Sequence, residues 1–335
     1  MSDGTRIAWT DATWNPITGC SPVSPACTNC YAARLAGTRL RHHPSRAGLT
    51  RNTKAGPVWT GEVRFNEEWL TQPLLWKRPR RIFVCAHSDL FHEAVPDEWI
   101  DRVFAVMGEA RQHVFQILTK RPERMRDYLS APGMASRVQA AFLETIQPND
   151  ARDFNETWPL PNVWIGVTAE DQRRADERIP LLLGTSAAKR FVSIEPMLGG
   201  LDIAWALSPS PLDIAAGILA RGSFAPGLES LRHLDWVICG GESGPDARPM
   251  HPDWVRSLRD QCQAAGVPFF FKQWGEWLAY GEQDASGSLN TCTRGEEPHF
   301  WHEWGDGLKG FSVRVGKRAA GRLLDGREWL EMPNV

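Results

Sequence analysis

The feature that most constrains the fold of this chain is a series of short, continuously apolar runs, each followed by polar residues. Six runs stand out, at residues 81–86, 113–118, 163–167, 190–194, 236–239 and 267–271. Continuous apolarity without alternation is typical of strands buried on both faces, as in a parallel sheet. The sequence therefore predicts a parallel sheet in the core of the protein.

Segments between these runs have helical periodicity. In residues 97–111, behind an acidic start, the apolar side chains fall at helical spacing: Ile100, Val103, Phe104 and Met107. A second helix is predicted between Pro252 and Gly266, which are typical start and stop residues. Alternating strands and helices predict an α/β fold, either a β/α barrel or an open doubly wound sheet.

Composition is that of an ordinary globular protein. The 335 residues are 42% hydrophobic and 23% charged, enough for one large domain or two small ones. We predict that residues 1–275 form the β/α part and that residues 276–335, rich in glycine and tryptophan, form a C-terminal cap. No apolar stretch is long enough to span a membrane and the N-terminus has no apolar signal region, so we expect a cytoplasmic protein with no membrane partner.

Residues suited to a site follow the predicted strands. They are Ser88, Asp89 and His92; Thr119, Lys120 and Arg121; Thr168, Glu170 and Asp171; Glu195; Gly240, Gly241 and Glu242; and Lys272, Gln273 and Trp274. The carboxyl ends of parallel strands are where β/α folds build their sites. We select Lys120, Glu195 and Lys272 as candidate catalytic groups for proton or substrate handling. A structural ion pair between Glu195 and one of the lysines is the alternative.

Three cysteines, Cys20, Cys27 and Cys30, lie close together near the start of the chain. A closed zinc site takes four protein ligands, whereas three thiolates leave one coordination position open. The alternative is a zinc knuckle completed by His42 or His43. The total of seven cysteines is odd, and two of them, Cys85 and Cys239, lie in apolar runs, so a disulfide framework is not expected.

The cysteine segment resembles a known cluster loop. Asn-Pro-x-x-Gly-Cys at residues 15–20, Cys-x-x-Cys-Tyr-Ala at 27–32 and the nearby Arg34 are similar to the loop of radical S-adenosylmethionine (SAM) enzymes related to spore photoproduct lyase. More closely, most of the chain resembles an uncharacterised phage and prophage family with a three-Cys motif. The segments that carry this closer resemblance are 88–92, 193–196, 271–275 and 321–327.

The resemblance implies a radical-SAM-like β/α barrel, full or partial. It implies that Cys20, Cys27 and Cys30 bind a 4Fe-4S cluster, that the open iron binds SAM, and that a flavodoxin or ferredoxin donates the electron. The residues that would contact SAM are Gly166, Thr168 and Glu170 for adenine or ribose, and Arg34 for the cluster or the SAM carboxylate. The chain departs from the usual pattern in having six residues, rather than three, between its first two cysteines.

A basic segment follows the cysteines. Residues 34–54 contain five arginines, one lysine and no acidic residue, which suits a phosphate-bearing substrate or nucleic acid, although a solvated basic face is the alternative. We therefore predict a radical SAM enzyme that modifies or repairs nucleic acid or a nucleotide in a phage setting. The alternatives are a non-catalytic, zinc-stabilised nucleic-acid-binding protein and a radical SAM enzyme acting on a peptide or small metabolite.

Overall fold

The computed structural model describes residues 4–146, 157–223, 227, 231–279, 281–282, 284, 286–288, 299–303 and 309–334. The strands are β1 (Ala12–Trp14), β2 (Ile17–Thr18), β3 (Thr50–Thr53), β4 (Gly56–Trp59), β5 (Arg64–Phe65), β6 (Arg81–Val84), β7 (Val114–Thr119), β8 (Val163–Thr168), β9 (Lys189–Ile194), β10 (Trp236–Cys239), β11 (Phe269–Phe271), β12 (Trp277–Ala279), β13 (His299–Glu303) and β14 (Lys309–Arg314). The α-helices are α1 (Tyr31–Gly37), α2 (Glu67–Leu70), α3 (Asp97–Glu109), α4 (Pro122–Leu129), α5 (Met134–Thr145), α6 (Gln172–Leu183), α7 (Ala204–Leu207), α8 (Pro211–Ala220), α9 (Pro252–Ala265) and α10 (Lys317–Ala320), with 3-10 turns at Pro25–Cys27 and Gln72–Leu75.

The main sheet has seven strands in the order β1-β6-β7-β8-β9-β10-β11. The paired strands run parallel, as in the register of Ala12 with Ile82 and of Ile82 with Phe115. All six residues of β8 are buried, as expected for a strand covered on both faces. The prediction of a mixed α/β fold with parallel strands is confirmed, and its strand order is compatible with a partial β/α barrel.

All six predicted apolar runs form strands of this sheet, from β6 to β11. The seventh strand, β1, was not predicted. Its three residues, Ala12, Thr13 and Trp14, do not form a continuous apolar run, and they become a strand by pairing with β6. Such a short strand depends on its neighbour more than on its own residues.

Two compact units make up the chain: residues 1–167, 180–190 and 335 in the first, and residues 168–179 and 191–334 in the second. In the first unit α3 carries the predicted apolar stripe, and its four residues are all buried. In the second unit α9 ends as predicted before Gly266, whose φ of 68° caps the helix.

The second unit also contains a small antiparallel sheet of order β12-β14-β13, in the region predicted to be a C-terminal cap. In the part of the chain that the structure describes, every helix is too short or too polar to traverse a bilayer.

Candidate functional site

The cysteine loop, residues 19–30, connects β2 to α1 in the first unit. Gly19 has a φ of 95°, and a β-carbon at this position would lie 2.1 Å from the carbonyl oxygen of Glu62, so only glycine fits. Its amide donates to the carbonyl of His87 at 3.2 Å, and Gly19 forms a parallel bridge with Ser88. The loop is therefore attached to the segment that follows β6.

Cys20, Cys27 and Cys30 form no disulfide and are partly buried. Burial, followed by the charge of Asp89, raises the pKa of the Cys20 thiol to about 12, against the opposing effect of Arg121. Cys30 and Cys27 raise it further, which indicates that both lie within electrostatic reach of Cys20. Cys20 and Cys30 also pack against an apolar cluster formed by Ala32, Ala33, Ala36, Leu49 and Trp59.

The donor set suits a metal, because thiolate sulfur is the ligand of both iron–sulfur clusters and structural zinc. As the side chains stand, however, the described residues contain no group of three His, Cys, Asp or Glu side chains arranged to hold a metal ion. The buried Cys85, whose pKa is raised by burial, is also within electrostatic reach of Cys20.

Arg121 joins the cysteine loop to the ends of β6 and β7. It is only 4% exposed, and its Nη1 donates to Cys20 Sγ at 3.7 Å and to Asp89 at 3.1 Å. Its Nη2 donates to Ser21 Oγ at 2.7 Å, and its Nε to Glu93 at 2.9 Å. Burial opposes the charged form, but Asp89, Cys20 and Glu93 together hold the pKa of Arg121 above its ordinary value. The guanidinium thus remains a permanent positive charge beside a cysteine sulfur.

Asp89 fixes the position of Arg121. Its Oδ1 accepts from the Thr119 hydroxyl at 2.7 Å and from the amide of Phe91 at 3.1 Å. Its Oδ2 accepts from the amide of Lys120 at 3.0 Å as well as from Arg121. Such a fully hydrogen-bonded buried carboxylate holds its partner in one place.

His92 completes this network as a neutral donor. The amide of Ala94 donates to its Nδ1 at 3.1 Å, so the proton of the neutral ring is on Nε2. Nε2 is 2.9 Å from Ser21 Oγ and donates to it. Burial and the charge of Arg121 lower the pKa of His92, which favours this neutral form.

Other predicted residues of the first unit lie on separate elements. Arg34 is half-buried in α1, directly after the cysteine loop, and its amide donates to the Cys30 carbonyl at 3.0 Å. Lys120 is half-buried and touches the Asp89 network through its backbone. Gly166 is a buried residue of β8, in register with Leu118.

In the second unit Glu195 and Lys272 form an ion pair with a separation of 2.9 Å, the arrangement foreseen as the structural alternative. Glu195 also accepts from the Ser193 hydroxyl at 3.3 Å. A cavity of about 280 Å³ adjoins Lys272 and is lined by Lys272, Gln273, Lys317, Gly321, Arg322, Leu323 and Glu328. The pair thus lies beside a polar, partly basic cavity.

Thr168 and Glu170 are also in the second unit. Both are buried, and Arg178 Nη1 donates to the Thr168 carbonyl at 2.8 Å and to Glu170 at 3.1 Å. This contact engages the Glu170 carboxylate in an internal ion pair. Their predicted contacts with adenine or ribose stay a prediction.

A family model described as "Protein of unknown function (DUF5131)" matches residues 4–333. The chain belongs to this family. No curated protein and no solved structure matches the chain. The family match covers both units and assigns no chemistry to either.

In this DUF5131 chain the cations that follow Arg34 in the basic segment at residues 34–54 divide into two groups. Arg39, Arg41 and Arg51 are exposed, as is Lys54. Arg46, by contrast, is 4% exposed. Only the exposed group is available to follow a phosphate backbone.

The sequence predicts that Arg121 is a strand-end residue, whereas the candidate catalytic group predicted at this strand end is its neighbour Lys120. Arg121, rather than Lys120, makes the side-chain contact with the cysteine loop. Arg121 could have been predicted from the sequence because it has a residue of opposite charge, Asp89, at the end of the adjacent strand. His87, whose carbonyl accepts from the Gly19 amide, has no comparable pattern of charged residues that would mark it in the sequence.

Proposed function

We propose that this protein is a radical SAM-type iron–sulfur enzyme whose cluster is bound by Cys20, Cys27 and Cys30. The observation that carries the proposal is the set of three free cysteines on one loop, with Cys27 and Cys30 within electrostatic reach of Cys20 and Cys20 beside the guanidinium of Arg121. A 4Fe-4S cluster bound by three thiolates leaves one iron open to SAM, whose reductive cleavage supplies a 5'-deoxyadenosyl radical.

The chain's own residues would prepare this loop for a charged centre. Arg121 places a positive charge 3.7 Å from Cys20 Sγ, which favours the thiolate needed for metal binding. Asp89 orients the guanidinium, and Ser21 receives hydrogen bonds from both Arg121 and His92. These contacts connect the loop to rigid strand ends, the kind of support that a metal ligand requires.

For the substrate we propose a nucleic acid or a nucleotide, because Arg39, Arg41 and Arg51 present an exposed basic surface just after the loop. Lys120, Glu195 and Lys272 remain the candidates for substrate or proton handling, and Arg34, Gly166, Thr168 and Glu170 those for SAM. A flavodoxin or ferredoxin is the proposed electron donor, in a cytoplasmic, phage-associated setting.

A second candidate function is a zinc-stabilised nucleic-acid-binding protein. The observation in its favour is Cys85, a fourth cysteine within electrostatic reach of Cys20. Four thiolates would make a closed site, which is typical of structural zinc.

Anaerobic reconstitution with iron and sulfide, followed by reduction with dithionite in the presence of SAM, tests the proposal. We expect 5'-deoxyadenosine and methionine from the wild type and from a Cys262→Ala control, and neither product from Cys30→Ala. A reconstituted wild type that binds iron without cleaving SAM would exclude the radical activity. A colourless protein that purifies with zinc would support the second candidate.

A further inference from the structure

Arg46 is a buried cation without a carboxylate partner among the described residues. Its side chain is 4% exposed and donates to Ser45 Oγ at 2.7 Å and to His87 Nδ1 at 3.3 Å. Its guanidinium carbon also lies 5.6 Å from the ring centre of Trp69. These partners are neutral, so the charge of Arg46 is not compensated by the ion pairs that the structure describes.

Two other buried arginines of the chain form ion pairs with carboxylates. Arg121 pairs with Asp89 at 3.1 Å, and Arg178 pairs with Glu170 at 3.1 Å. Buried charges are ordinarily paired because removing an ion from water is costly. Burial lowers the pKa of Arg46 to about 10, so it still carries its charge near neutral pH.

A second cation strengthens the positive potential at this position. Arg64 donates to the carbonyls of Pro44 and Ala47, on either side of Arg46, and its charge contributes to lowering the pKa of Arg46. No described acidic side chain forms an ion pair with Arg64. Two guanidinium groups thus flank one short loop with no described counter-charge.

His87 adds a neutral donor. Because arginine Nε can only donate, His87 Nδ1 is the acceptor and the ring proton is on Nε2. Burial, together with the charge of Arg46, lowers the pKa of His87 to about 4, so the ring stays neutral. The His87 ring packs edge-on against Tyr31, whose centroid is 6.1 Å away and which directly follows Cys30.

We propose that Arg46, supported by Arg64 and His87, forms a binding site for a small oxyanion, a carboxylate or a phosphate, beside the cysteine loop. A guanidinium donates charge-assisted hydrogen bonds to such groups, and low solvent exposure strengthens the interaction. The chemistry fits equally the carboxylate of an amino-acid-like ligand and the phosphate of a nucleotide. The site does not depend on metal at the cysteines.

The test uses full-length protein titrated with inorganic phosphate and, separately, with acetate, at constant ionic strength. Binding is followed by NMR and by the rise in melting temperature. We expect Arg46→Gln to weaken binding by at least about tenfold, the loss of one charge-assisted contact. Arg78→Gln, which removes an exposed arginine of the first unit outside the basic segment, should leave affinity unchanged.

Preference for phosphate over acetate would assign a phosphate ligand, and the reverse a carboxylate. If Arg46→Gln does not fold, Arg64→Gln provides the measurement, because Arg64 is only half-buried; it should weaken binding several-fold. The proposal is overturned if neither phosphate nor acetate binds to the wild type. It is also overturned if Arg46→Gln or Arg64→Gln binds them with the affinity of the wild type.

Discussion

The guanidinium of Arg121 contacts Cys20 Sγ at 3.7 Å while pairing with Asp89 at 3.1 Å, although Cys20 and Arg121 are 101 residues apart in sequence. Asp89 in turn follows β6, and Arg121 follows β7, two neighbouring strands of the parallel sheet. The position of the cysteine loop is thus coupled to the ends of two core strands. A change in either charged residue should affect the loop.

Arg121→Gln should lower the free energy of unfolding by about 3 kcal/mol, because it leaves Asp89 buried without its cation. Urea denaturation measures the loss. The matched control is Arg124→Gln, which breaks a more exposed arginine–aspartate pair with Asp97 and should cost less than about 1 kcal/mol. Equal losses in the two variants would show that the Arg121 pair is not the stronger one.

Folding stability should fall in acid because of His87. The pKa of His87 is about 4 in the folded protein, against an ordinary value of 6.5, so the unfolded chain binds a proton more readily between these values. The contribution is fully present above about pH 6.5 and is lost as the pH falls towards 4.

Between pH 7 and pH 5 this loss should be on the order of 2 kcal/mol. His87→Gln keeps an acceptor for Arg46 but cannot titrate, so its denaturation curves should differ less between the two pH values. If the change in stability between pH 7 and pH 5 is the same in His87→Gln as in the wild type, the acid sensitivity comes from other groups.

Gly241→Ala should destabilise the second unit. A β-carbon at Gly241 would lie 1.8 Å from the carbonyl oxygen of Trp274, and a contact with backbone is not relieved by a rotamer change. We expect a cost of about 2 to 3 kcal/mol or a failure to fold. Gly199→Ala is the control, because its β-carbon would be 3.7 Å from the nearest atom, and thermal unfolding should show little change. Similar melting temperatures for the two variants would contradict this packing.

Binding to single-stranded DNA or RNA should weaken steeply with salt if the exposed basic group follows a phosphate backbone. Changing Arg39, Arg41 and Arg51 together to glutamine should reduce the slope of log affinity against log salt by about two to three. Arg173, Arg232 and Arg318, exposed arginines of the second unit, form the control triple. If the salt slope is the same in wild type and in the Arg39, Arg41 and Arg51 variant, a small-molecule or peptide substrate is favoured. Binding too weak to measure would favour the same conclusion.

Much of the fold was predictable because buried parallel strands leave a continuous apolar signature. The six predicted runs and the helices α3 and α9 are confirmed for this reason. The strand β1 was missed because its three residues gain their structure from pairing with β6. Local pattern cannot reveal a strand whose stability comes from its partner.

The site was predictable in its chemistry but not in its contacts. Cys20, Cys27 and Cys30 are visible in the sequence because they are closely spaced. The choice between Lys120 and Arg121 depends on how the chain turns after β7, which no local pattern encodes. Arg46 was counted with a basic surface, yet it is buried, because periodicity in a short loop does not separate inward from outward side chains.

We expect three cysteines, and not four, to bind the iron–sulfur cluster. The direct measurement is iron and sulfide per chain after anaerobic reconstitution of single Cys→Ala variants. We predict that Cys20→Ala, Cys27→Ala and Cys30→Ala lose the iron chromophore, whereas Cys85→Ala and Cys262→Ala retain it. Loss of iron in Cys85→Ala would show a closed four-thiolate site, and retention of a full cluster in any of the first three variants would contradict the account.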